Sequence, residues 1–309
     1  MMQNLFIFIC ALAVIVKGAT LATKYAARLA ESFRLSKYTV GFIVVAIISI
    51  LPETFIALNS AMEGSSAFGL GMLFGSNIAD LTLIFAIIIF AAGRQVKIES
   101  KIFNKNKIYP VLLLLPLVLG LDGNFSRIEG LALMLVGAVF YYMVFRSDTD
   151  RTAITNSPYN RYKSLGMLLL SMVALLVGAH FTVRSASALA YGLGINPILI
   201  GMLIVGLGTT MPEFSFSLKS VRKKEDTLAV GDILGTVLAD ATVVVGLLAL
   251  VSPFSFPQKI IYITGVFMLL ASLLLFILMY RGKALSKKDA LLLFGFWLVF
   301  VIVEFLANR

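Results

Sequence analysis

Ten transmembrane helices, arranged as two inverted repeats of five, make up the all-α integral membrane fold that this sequence predicts. Three observations predict it. The 309 residues are 60% hydrophobic and only 14% charged, whereas a soluble domain is nearer half apolar and a quarter charged. Apolar runs long enough to cross a bilayer, about 20 residues each, recur from end to end. When the sequence is laid on itself with a shift of 160 residues, five spans fall on five spans without a gap.

The spans are placed at 4–30, 37–60, 67–92, 106–121, 129–146, 164–190, 196–218, 228–252, 258–280 and 288–306. The first run has no basic leader and no cleavable small-residue site, so it reads as a mature helix rather than a signal peptide. The basic residues fix an orientation. Of the 26 Lys and Arg, 20 fall in alternate loops on one side, 4 on the other, and Lys17 and Lys24 lie within the first span. Basic loops stay cytoplasmic, which puts both termini outside and makes the number of spans even. The same asymmetry explains the net charge of +10 without nucleic acid as a partner. One Cys (Cys10) and one His (His180) exclude an internal disulfide, a Cys/His zinc cluster and an H-E-x-x-H membrane protease.

The 160-residue shift sets Gly18-Ala19 on Gly178-Ala179, Gly41 on Gly201, Pro52-Glu53 on Pro212-Glu213, Gly71 on Gly231, Gly75 on Gly235 and Ala79-Asp80 on Ala239-Asp240. Residues 1–146 form the first repeat, 147–163 a polar cytoplasmic linker, and 164–309 the second repeat. Because five is odd, the second repeat enters from the opposite face. Secondary transporters are commonly built this way.

Four acids repeat within apolar spans: Glu53, Asp80, Glu213 and Asp240. An Asp at the bilayer centre costs roughly 2.5–3.5 kcal/mol on insertion scales, so such groups are paired, wet or functional. Each glutamate follows a proline. A proline gives no N–H to the carbonyl four residues back and opens that turn, which frees the carbonyls of Ile48 and Gly208 and disturbs Ser49 and Thr209. Unwound backbone at membrane depth belongs only where it lines a cavity or is buried in protein. Carbonyls, carboxylates and hydroxyls together are the all-oxygen shell of Ca²⁺. On the following spans, Ser76 and Asp80 share a helix face, as do Thr236 and Asp240. The glycines at 71, 75, 231 and 235 let these helices approach the broken ones closely.

Here the sequence resembles the cation/Ca²⁺ exchanger superfamily, most closely its prokaryotic Na⁺/Ca²⁺ exchangers. That family doubles a G-[ST]-[ST]-x-P-E motif and a G-[ST]-N-x-x-[DN] motif. Gly208-Thr209-Thr210-Met211-Pro212-Glu213 and Gly75-Ser76-Asn77-Ile78-Ala79-Asp80 match in full. The resemblance implies Glu53 and Glu213 as central Ca²⁺ ligands with Asp80 and Asp240 beside them. It implies backbone carbonyls from Ser49 and Thr209, hydroxyls from Ser76, Thr210 and Thr236 for flanking monovalent sites, and Asn77 within the motif. The function it implies is antiport of Ca²⁺ against Na⁺ or H⁺, with no resident cofactor; the inverted-repeat plan adds the expectation that spans 1 and 6 rock over the core that holds the site. Ile48 and Ile50 replace a Gly and a hydroxyl in the first motif, and Val237 replaces the second Asn. These departures imply fewer bound Na⁺, or H⁺ as the counter-ion.

Two rivals are a drug/metabolite-type permease with the same five-plus-five plan and a cation channel. The permease has no need of duplicated acids at one depth, and a channel differs in carrying Ca²⁺ without an opposing gradient. A membrane enzyme would need a nucleophile–base pair or metal cluster that no motif supplies. His180 is open to two readings, a pH sensor or a hydrogen-bonded structural residue.

Overall fold

The computed structural model describes residues 2–30, 46–98, 108–146, 161–282 and 284–307, and every long element in it is a helix. In chain order these are α1 (Met2–Ala30), α2 (Ala46–Ser49), α3 (Leu51–Met62), α4 (Ser66–Ala92), α5 (Tyr109–Asp122), α6 (Arg127–Arg146), α7 (Arg161–Leu193), α8 (Pro197–Arg222), α9 (Asp226–Val251), α10 (Ile260–Arg281) and α11 (Lys287–Ala307). Among the described residues, eight helices are long and apolar enough to cross a membrane, all but α2, α3 and α5. Residues 37–45, 106–107 and 147–160, expected to hold parts of two spans and most of the linker, lie outside the described residues.

Two expectations change. Arg161, Tyr162 and Lys163, assigned to the linker, open helix α7. The fourth span is not one continuous helix: α5 is three short turns, Tyr109–Leu112, Leu115–Leu119 and Gly120–Asp122. Pro116 is the reason, since it has no N–H for the Leu112 carbonyl and its ring opens that turn.

Element boundaries recur at the spacing of 160 seen in the sequence. Leu51–Met62 answers Met211–Arg222, and Ser66–Ala79 answers Asp226–Ala239. A π-helical stretch at Asp80–Ile84 answers one at Asp240–Val244. Helices α4 and α9 form the centre, with 83% of the membrane-length window of each buried, against 33% for α1 and α7 and 22% for α11. The peripheral helices turn large apolar side chains outward, among them Leu135, Leu170, Ile277 and Ile302. This is the surface a bilayer requires.

Small residues set the close crossings. Helices α1 and α7 run along each other, and a Cβ on Gly178 would stand 2.8 Å from Ile15 Cγ1. Lys17 and Lys24 are exposed on α1, so both are free to extend toward an interface. Helix α4 lies on the first half of α8, where a Cβ on Gly71 would come within 2.6 Å of Ile198 Cγ2 and one on Gly75 within 2.3 Å of the Met202 carbonyl oxygen. The predicted approach of glycine-bearing helices to broken ones is thus observed for Gly71 and Gly75.

Two pairs of loops meet as short two-stranded sheets. Strand β1 (Val96–Lys97) meets β4 (Ala284–Leu285), and β2 (Asn124–Phe125) meets β3 (Phe254–Ser255), both antiparallel. Arg94 grips Asp226 bidentately, with both N–O distances at 2.7 Å, and donates to the Val221 carbonyl at 2.9 Å. The Lys97 N–H adds a bond of 2.8 Å to the same carboxylate. This fork raises the Arg94 pKa above its ordinary value, the hydrogen bonds to Asp226 contributing most.

Candidate ion-binding site

Both proline-bearing segments break one residue after the predicted place. Ser49 ends α2, Ile50 takes φ −71° and ψ −2°, and α3 restarts at Leu51. In α8 the helical path stops at Thr209, Thr210 takes φ −73° and ψ −3°, and the helix resumes at Met211. The Ile50 N–H still reaches Ala46 O (3.0 Å) and the Thr210 N–H reaches Gly206 O (3.2 Å). Each proline occupies the second position of the restarted helix and each glutamate the third. There the unpaired N–H groups and the positive end of the helix dipole favour a carboxylate, while the carbonyl end of the preceding half-helix favours a cation.

All ten predicted site residues are buried: Ser49, Glu53, Ser76, Asn77, Asp80, Thr209, Thr210, Glu213, Thr236 and Asp240. Asp80 and Asp240 each open a π-helical turn, a local insertion that often marks a functional site. The halves interleave. Glu53 and Asp80 of the first half both act on Glu213 and on Asp240 of the second as near charges. Some side chains turn elsewhere. The Ser76 hydroxyl donates to Leu73 O at 3.0 Å, the Thr209 hydroxyl to Gly206 O at 2.9 Å and the Thr210 hydroxyl to Leu207 O at 3.0 Å. The Asn77 amide points to Met268 Sδ at 3.7 Å.

What remains is a set of stranded oxygens. Glu53 Oε2, both Glu213 carboxylate oxygens, Asp80 Oδ1, both Asp240 carboxylate oxygens, Asn77 Oδ1 and Thr236 Oγ1 are buried without a hydrogen-bond partner among the described residues. Several unpaired buried acceptors in one region are costly, and a bound cation removes that cost. Among the described residues no three His, Cys, Asp or Glu side chains gather at one point in metal-binding geometry.

The profile of the sodium/calcium exchanger protein family matches residues 3–146 and 163–306. The chain belongs to that family. The inner membrane protein YrbG of Escherichia coli K12 is similar to this exchanger at 26% identity over 262 residues, covering 80% of this chain and 79% of its own. The putative antiporter CaxA of Alkalimonas amylolytica is 27% identical over 242 residues, with 74% of each chain covered. The sodium/calcium exchanger MaX1 of Methanosarcina acetivorans is 24% identical over 98% of both chains. A solved structure of the sodium-calcium exchanger NCX_Mj superposes with a TM-score of 0.72 at 21% identity, covering 97% of this chain and 98% of that one. The present exchanger is therefore a multi-pass membrane protein of the cation/Ca²⁺ antiporter class.

Sequence reading passed over two acids in this exchanger. Only four acids were expected in the spans, yet Asp232 on α9 is 0% exposed and Glu304 on α11 is 1% exposed. Their partners at the 160-residue shift are Met72 and Val144, so a search for acids present in both halves misses them. Burial within an apolar run was the signal available. Glu304 accepts a hydrogen bond from Thr264. His180 Nδ1 lies 3.6 Å from Glu63 Oε1, joining α7 to the end of α3.

Proposed function

We propose that this exchanger moves Ca²⁺ against a monovalent cation, Na⁺ or H⁺, by alternating access at a site centred on Glu53 and Glu213. The reading is carried by the stranded carboxylate oxygens at the two helix breaks. Ca²⁺ takes six to eight oxygens in flexible geometry. Glu53 and Glu213 supply its balancing charge, Ser49 and Thr209 carbonyls, and Asp80 and Asp240 flanking carboxylates. Ser76, Thr210, Thr236 and Asn77 serve the neighbouring monovalent positions. An unloaded site leaves anions in a low-dielectric slot, so reorientation proceeds only with Ca²⁺ or with its replacement cations bound. That condition is the physical basis of obligatory exchange.

The architecture of this reading is two inverted five-helix halves, 1–146 and 164–309, joined by a cytoplasmic linker, in the cell membrane with both termini outside. The recurrence of element boundaries and the pairing of same-side loops support it. Helices α1 and α7 are the moving pair, since they pack on each other and are largely lipid-facing.

Ca²⁺ flux into liposomes, with Na⁺ and pH gradients varied separately, tests the function. Uptake is expected only when an opposing gradient is present. Gradient-independent uptake would identify a channel, and absence of Ca²⁺ movement under every gradient would reject the reading.

A further inference from the structure

A further buried carboxylate, Asp232 on the central helix α9, lies where the two halves differ. Asp232 is held between Ser49, the last residue before the first helix break, and Ser217 on α8. The Ser49 hydroxyl is 3.4 Å from Asp232 Oδ1, the Ser217 hydroxyl is 3.3 Å from Asp232 Oδ2, and Ser217 Oγ is 3.3 Å from the Ala229 carbonyl oxygen. All three side chains are buried. In the other half the matching contact is apolar: the Thr209 hydroxyl lies 3.9 Å from Met72 Sδ.

The spacing is informative. Ser49 and Ser217 each donate a long hydrogen bond to Asp232, where a hydroxyl on a carboxylate ordinarily closes to about 2.5–2.7 Å, and Ser217 divides its hydroxyl between Asp232 and the Ala229 carbonyl. Oxygens on adjacent corners of an octahedron are separated by √2 times the metal–oxygen distance. For the 2.3–2.6 Å of Ca²⁺ the edge is about 3.3–3.7 Å, and for the 2.0–2.1 Å of Mg²⁺ about 2.8–3.0 Å. The separations of 3.3–3.4 Å fall within the wider of these two ranges. Na⁺ is close to Ca²⁺ in radius, and charge separates the two. One carboxylate among neutral hydroxyls and a carbonyl balances a single positive charge, whereas Glu53 and Glu213 together balance two. Glu213 adjoins the cluster. It lies one turn before Ser217 on the same helix face, neither of its carboxylate oxygens has a hydrogen-bond partner among the described residues, and Asp232 acts on it as a near charge.

We propose that Asp232, Ser49 and Ser217, with the Ala229 carbonyl, form a Na⁺ site present on one side of the protein only. The proposal rests on the exchanger reading and adds to it a carboxylate that only one half carries. It assigns Asp232 to binding the counter-ion.

The test is the thermal unfolding midpoint of the purified full chain, titrated with NaCl at constant ionic strength and, in parallel, with CaCl₂. Wild type, Asp232→Asn and Ser217→Ala are compared. Na⁺ is expected to raise the wild-type midpoint. In Asp232→Asn the Na⁺ needed for half the rise increases about tenfold or more, as for loss of a well-placed ligand-shell group, and the Na⁺ response falls by more than the Ca²⁺ response. Ser217→Ala shifts the Na⁺ curve in the same direction by less. A structural role alone lowers every midpoint but leaves the position of the Na⁺ curve unmoved, and that result overturns the proposal. If Asp232→Asn does not fold, a Ser217→Ala curve coincident with wild type overturns it equally, as does a wild type that Na⁺ does not stabilise. Failure of the exchanger reading is seen separately, in liposomes, as wild-type Ca²⁺ flux that no gradient drives.

Discussion

Gly75→Ala puts the seam between α4 and α8 to a quantitative test. The added methyl would lie 2.3 Å from the Met202 carbonyl oxygen, 2.7 Å from Met202 Cγ and 2.8 Å from its carbonyl carbon. Two of these three neighbours are backbone, so no rotamer change relieves the clash, and the helices must separate by about 1 Å to regain ordinary contact. A gap of 0.5–1 Å forfeits roughly a quarter to a half of each dispersion contact across it. The seam also holds Gly71 against Ile198, Phe68 against Gly201 and Ser76 against Gly206, so the loss spreads along it. Overpacking of this kind costs about 1–3 kcal/mol, and a clash with backbone places Gly75→Ala near ~3 kcal/mol. Because Ser76 and Asp80 ride on the displaced helix, Ca²⁺ transport falls with stability. The control is Gly295→Ala on α11, where a Cβ meets nothing within 4 Å and alanine gains about 0.5–1 kcal/mol of helix propensity. Thermal unfolding of the two purified variants should move their midpoints in opposite directions. Equal midpoints, with full flux in Gly75→Ala, would refute the close packing inferred for this seam.

Three further outcomes are expected. Glu53→Gln and Glu213→Gln each leave a folded protein whose Ca²⁺ uptake falls by about 100-fold, in line with truncating one partner of a buried charge pair; near-normal flux in either would remove that residue from the site. Ile50→Ser, which restores at a buried break residue the hydroxyl that Thr210 carries in the other half, strengthens Na⁺ competition with Ca²⁺ at fixed pH; coincident Na⁺ titrations would place Ile50 away from the ion path. In a Cys10→Ser background, Lys223→Cys should resist a membrane-impermeant thiol reagent in intact cells and react once they are opened. External labelling would reverse the orientation drawn from the basic loops.

Much of this was legible in the chain because proline and buried charge leave strong marks. Pro52 and Pro212 announced the two breaks, displaced by a single residue to Ile50 and Thr210, because the residue that loses helical ψ precedes the restarted turn. The glycine spacing at 71 and 75 announced a close crossing, and the crossing is there. The α5 region was read as one span because its apolar run is unbroken, although Pro116 interrupts its hydrogen bonding. The π-helical turns at Asp80 and Asp240 had no counterpart in residue preference. One extra residue in a turn changes no side-chain pattern over so short a stretch. Asp232 and Glu304 escaped because duplication was the filter for importance. An acid present in one half alone is invisible to that filter, however deeply it is buried.

Helix α7 has 33 residues, and its end tyrosines, Tyr162 and Tyr191, are 88% and 75% exposed. Tyrosines of this kind settle at the headgroup level. Along the helix axis the two are about 44 Å apart at 1.5 Å per residue, while the hydrocarbon core is about 30 Å thick. With both rings at the headgroup level, where the bilayer measures about 40–45 Å across, the helix spans it nearly upright. A thinner bilayer is met by tilting. Helix α1, packed along it through Gly18 and Gly178, must follow. Lipid acyl-chain length thereby becomes a mechanical setting for this pair: a thicker bilayer stands it up and a thinner one lays it down, with no change in any ion.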